Sequence, residues 1–100
     1  MPEVAEQFYN LTKSVKGYSP FTEKWNELLL VAIFATHRAL RGLGTHIRRA
    51  MAEGATKEEI LSAILLALPV IGAPDINAAL ERTLEVIQEQ EEEQAELRKL

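Results

Sequence analysis

Two runs of this chain, residues 28–35 and 63–71, are apolar around their whole circumference, and they constrain the fold more than any other feature. Each falls in a segment of helical length, and neither reaches the ~20 residues that a membrane helix needs. A helix that is apolar on every face has to be buried on every face. Nothing competes as a strand, because alternation is absent and β-branched residues are sparse. One hundred residues make one domain around one core. The expectation is therefore an all-α domain in which other copies of the chain cover surface that its own helices cannot.

The punctuation predicts about five helices. Pro2 suits a first turn, and Val4, Phe8, Leu11 and Val15 form one apolar stripe that ends before Gly17. Gly17-Tyr18-Ser19-Pro20 reads as a loop. Thr22 caps a second helix running to about Arg38. Gly42 and Gly44 mark the next connection, followed by a short third helix from about Thr45 to Glu53 that Gly54 stops. Thr56 and Glu59 form a capping box that opens a fourth helix through Ile71, kinked or ended by Pro69. Pro74 restarts the chain into a fifth helix, amphipathic through Ala78, Leu80, Leu84 and Ile87 and then polar on all faces. The whole is read as a single domain over 1–100, with an N-terminal helix and loop (1–19), a core (20–87) and an acidic helical tail (88–100).

Charge and composition remove several function classes. The tail carries five glutamates against Arg98 and Lys99, which accounts for most of the net charge of −4. The body is near neutral without a basic stripe, so nucleic acid is not an expected partner. The first residues lack a basic region ahead of an apolar segment, so no secretory signal is expected. No membrane association is expected either, and a cytoplasmic location is the default. The absence of cysteine excludes disulfides, thiolate nucleophiles and thiolate metal ligands.

The residues that could carry chemistry cluster between Glu27 and Glu59. Glu27 is a lone acid on an apolar helix, and His46 follows it by nineteen residues, just past the glycines. Lys24-Trp25-Asn26-Glu27-Leu28, Leu43-Gly44-Thr45-His46-Ile47-Arg48, Gly54-Ala55-Thr56-Lys57-Glu58-Glu59-Ile60 and Gly72-Ala73-Pro74 occur in an order and spacing that resemble the carboxymuconolactone decarboxylase family, which includes the alkyl hydroperoxidase D-like proteins. The resemblance covers roughly residues 20 to 85. It implies the alkyl hydroperoxidase D-like helical fold and assembly as a homo-oligomer, a trimer or hexamer. In the thiol-dependent branch, a Cys-x-x-Cys pair stands where this chain has Ala39 and Gly42, so thiol peroxidase chemistry is not expected.

The decarboxylase branch of that family, which lacks the cysteine pair, has a Leu-x-x-His-x-Arg pattern, and residues 43–48 are similar to it. What this implies is cofactor-free loss of carbon dioxide from a small unsaturated lactone or carboxylic acid. His46 would return a proton to the resulting dienolate, and Glu27 would orient His46 or tune it. Arg48 would hold a carboxylate, with Arg41 or Arg49 as substitutes. Each has a plainer role beside it. His46 could bond a neighbouring backbone group, Glu27 could favour a helix N-terminus, and Arg48 and Arg49 could be surface ion-pair partners. His37 reads as a helix C-terminal histidine. Glu27, His37 and His46 have the chemistry of a zinc or iron ligand set but no ligand-motif spacing, so neither a metal nor a cofactor is expected. Phe21, Trp25 and Phe34 read as core or interface. The second reading is a non-catalytic oligomeric scaffold or small-molecule binder of the same fold.

Overall fold

The computed structural model describes residues 1–100, and every regular element in it is helical: α1 (Pro2–Tyr18), α2 (Glu23–Thr36), α3 (Leu40–Ala52), α4 (Lys57–Leu65), the single turn α5 (Leu68–Ile71) and α6 (Ala73–Arg98). The all-α expectation holds. No helix is long and apolar enough to cross a membrane.

Helix α2 is the centre of the packing, with α3, α4 and α6 laid against it and α6 also touching α3 and α4. Its buried apolar residues are Leu28, Val31 and Ala35, one helical stripe, and they meet Leu43, Ile47 and Ala50 of α3. Ile60 and Ile64 of α4 and Ile76, Ala79, Val86 and Ile87 of α6 complete the core. Part of the apolar circumference of α2 and α4 is not covered: Leu29, Ile33 and Leu65 stay exposed, as does Leu66 just past α4. Helix α1 buries no residue at all.

The caps follow the sequence signals. The Thr22 hydroxyl accepts from the Trp25 amide, and Thr56 and Glu59 exchange both bonds of a capping box. Gly54, at φ +92, follows α3 and lets the Ala55 amide reach the Ala50 carbonyl, closing the helix as a Schellman turn. Arg38 does the same work after α2 at φ +53, a rare conformation for a side chain with a Cβ.

Two expectations need correction. Helix α3 begins at Leu40 rather than Thr45, so Gly42 and Gly44 lie inside it. They are there for space: a Cβ on Gly42 would stand 2.3 Å from the Phe34 ring, and one on Gly44 would stand 3.0 Å from the Arg82 guanidinium. The fourth predicted helix is split in two. Pro69 has no amide hydrogen and its ring opposes the carbonyl four residues back, which belongs to Leu65, the last residue of α4.

Candidate functional site

Glu27 lies in the second turn of α2, on the side that faces α3, and it is only 2% exposed. Burying a carboxylate is costly unless its oxygens are satisfied. Here each oxygen has a partner. His46, in the middle of α3, bonds Oε2 through Nδ1 at 2.6 Å. Lys16, near the end of α1, donates its ammonium to Oε1 and also lies 3.6 Å from Glu23. The three side chains come from three helices and form one line, Lys16–Glu27–His46.

The electrostatics follow from this geometry. Burial pushes the Glu27 carboxyl up, but the hydrogen bonds from Lys16 and His46 outweigh it and hold the group below its ordinary value of 4.5. The same bond from Glu27 raises Lys16 above its ordinary 10.5. An ionised Glu27 can only accept, so the His46 proton sits on Nδ1 and points at it. Nδ1 makes the single hydrogen bond of this ring, and no fully buried side-chain nitrogen or oxygen in the protein lacks a partner. His46 is itself buried, at 9% exposure, so Nε2 has no protein partner and only a narrow contact with solvent. A carboxylate that fixes one imidazole nitrogen and leaves the other open is the arrangement of a general base or acid.

Phe34 closes the other side. Its ring stacks on His46 with centroids 4.7 Å apart and planes at 22°. The same ring fills the space over Gly42. The Phe34 ring thus takes the space that any side chain at position 42 would need.

Glu27 opens onto a cleft of about 280 Å³ between α1, α2 and α3. Tyr9, Thr12, Lys13 and Lys16 of α1 line one wall, Arg49, Ala52 and Glu53 line another, and Glu23 of α2 completes it; His46 lies behind Glu27 and does not line this cleft. Lys16 is engaged by Glu27 and Glu23, whereas Lys13 and Arg49 form no ion pair. Arg48 is not brought to this cleft. Its guanidinium bonds Glu89 of α6 at 3.0 Å, on a different side of α3. The periodicity of a helix carries the reason: His46 and Arg49 are three residues apart and share a face, whereas two residues put Arg48 about 200° away. His37 bonds the Ile33 carbonyl at the end of α2, and no three His, Asp or Glu side chains converge on a common point.

The sequence model of the carboxymuconolactone decarboxylase family matches residues 2–85, most of the chain. The chain belongs to the carboxymuconolactone decarboxylase family. A comparison with curated proteins found no match. The family match reaches back to residue 2, further than the landmarks at 20–85, and so takes in α1 and Lys16. Lys16 was not singled out by sequence. One signal was present: Tyr9, Thr12, Lys13 and Lys16 recur at helical spacing, a second stripe beside the apolar one. That the second stripe faces Glu27 depends on how α1 docks, which periodicity does not contain.

Proposed function

We propose that this member of the carboxymuconolactone decarboxylase family is a cofactor-free acid–base enzyme acting on a small unsaturated lactone or carboxylic acid, with His46 as the proton-transfer group. The observation that carries this reading is a buried glutamate bonded at both oxygens whose histidine partner keeps Nε2 free of any protein hydrogen bond. Glu27 positions and polarises His46, and Lys16 keeps Glu27 ionised. Arg48 pairs with Glu89, which leaves Arg49, on the same face of α3 as His46, as the cation offered for the carboxylate-binding role in its place. In the decarboxylation, the carbon–carbon bond to the carboxylate breaks and its electron pair passes into the conjugated lactone as carbon dioxide leaves. The dienolate carbon then takes a proton from Nε2 of the imidazolium, while Nδ1–H remains on Glu27.

A second reading is favoured by a separate observation. Phe34 packs flat on His46, and much apolar surface is exposed, as expected of a binding scaffold that keeps the fold without the chemistry. One experiment separates the two. Carbon dioxide release from 4-carboxymuconolactone is measured for the parent protein and for His46→Ala and Glu27→Ala, each checked for intact helicity. Turnover that falls at least ~100-fold in both variants is the expected result. Arg49→Ala is expected to raise KM more than Arg48→Ala. No turnover by the parent removes this substrate and favours the scaffold; turnover unchanged in both variants means that the reacting groups lie elsewhere.

A further inference from the structure

His46 has no open route to a reacting molecule. It is 9% exposed, and the cleft at Glu27 does not reach its ring. On one side stands Glu27, fixed by Lys16 and by the imidazole itself. Beside it Val31 of α2 and Leu43, Ile47 and Ala50 of α3 are completely buried. A proton donor has to come within about 3 Å of the atom it protonates, so one wall of this site has to move.

The wall that differs from the rest is Phe34. Glu27 and Phe34 stand seven residues apart, two turns along one face of α2, and Gly42 and His46 stand one turn apart on α3. The Phe34 ring spans that turn of α3, with its face on the imidazole and its Cδ1–Cε1 edge over Gly42. It is only partly buried, and it packs against the core from outside rather than within it. Rotation about χ1 carries such a ring between staggered positions without disturbing the backbone.

We infer that Phe34 is the gate of His46: the ring covers the imidazole at rest and swings outwards to admit a ligand. The ring also marks what is admitted. The space it leaves is one flat ring thick, bounded by the imidazole on its face and by the Gly42 backbone at its edge. A planar unsaturated ring lies there and stacks as Phe34 does, whereas a puckered saturated ring of the same size does not. The contact that the scaffold reading takes as a block is then a control on access. The inference rests on His46 as the proton-transfer group, but its test needs no turnover, so gate and reaction fail separately.

The chain has two histidines, which makes the test direct. Diethyl pyrocarbonate carbethoxylates a free imidazole nitrogen, and peptide mass spectrometry reads each histidine separately. His37 is the internal reference: it is exposed, and its Nδ1 is engaged by the Ile33 carbonyl at 3.0 Å. In the parent, His46 should react at least about 30-fold more slowly than His37, at a rate unchanged in low urea, as a local opening requires. Phe34→Ala should speed His46 at least about tenfold and leave His37 as it was. Phe34→Leu, which keeps an apolar side chain in the packing, should fall between. Thr56→Ala weakens the fold away from the site and should not change the His46 rate. Benzoate should protect His46 in the parent, and at about tenfold lower concentration in Phe34→Ala, whereas cyclohexanecarboxylate should protect in neither.

A His46 rate indifferent to both Phe34 substitutions, or raised equally by Thr56→Ala, overturns the gate. A parent rate that climbs with urea along the global unfolding slope also overturns it, because the ring then does not move on its own. Equal protection by the two acids, or by neither, overturns the flat-ring assignment. Absence of carbon dioxide release alongside the expected carbethoxylation pattern removes the reaction and keeps the gate.

Discussion

At the scale of single residues, the site is a matter of satisfying a buried carboxylate. Glu27 is tolerated inside an apolar packing because Lys16 and His46 take one oxygen each. Gly42 and Phe34 form the complementary pair on the other side of His46. An alanine in the middle of a helix ordinarily gains up to about 1 kcal/mol over glycine. At Gly42 its Cβ meets the Phe34 ring, and Gly42→Ala should instead lose about 1–3 kcal/mol in urea unfolding. Phe34→Leu should recover part of that loss in a double-mutant cycle, and strict additivity would refute the contact. The Glu27–His46 pair was legible in the sequence, as the order of family-like landmarks. Arg49 over Arg48 could also have been read, since three residues keep a helical face and two do not. Lys16 could not, because its partner lies eleven residues away across a loop and on another helix.

At the scale of elements, local chemistry decides where helices begin and end, and shape decides what they tolerate inside. The capping box at Thr56 and Glu59 satisfies two amides that would otherwise be orphaned, and Glu59 is also bonded by Lys24 of α2. Thr56→Ala should cost about 1 kcal/mol of stability with no change in the unfolding slope; a neutral result would mean that α4 is held by packing alone. Thr22, Gly54, Thr56, Pro69 and Pro74 were readable because each acts through its own backbone or the nearest turn. Gly42 and Gly44 were not: they look like loop residues in sequence, yet they sit within α3 because Phe34 and Arg82 need the room. That reason lies in tertiary contact, so local rules place the start of α3 five residues late.

At the scale of the whole molecule, charge pairing sets the pH range of stability. Glu27 has its folded-state pKa lowered below 4.5, as does Glu59, where the Thr56 amide bond is the main cause. Such groups stabilise the fold above the unfolded value and lose that contribution as pH falls through the folded one. Lys16 is raised above 10.5 by Glu27, so its contribution is complete below that value and is lost as pH rises through the folded pKa. A plot of the melting midpoint against pH should show a plateau that falls below about pH 4.5 and again above about pH 10.5. Glu27→Gln should lower the plateau and flatten the acid limb; an unchanged acid limb would mean that Glu27 is not ionised in the fold. The sequence by itself determined the helical class, most of the caps, the family and the Glu27–His46 pair, because periodicity, turn chemistry and motif order are written in neighbouring residues. Only the tertiary structure decided that α1 lies on the body by Lys16, that Arg48 turns to Glu89 while Arg49 faces the cleft, and that the Phe34 ring fills the space between Gly42 and His46. Those outcomes depend on how helices rotate and dock against one another, and no single segment encodes that.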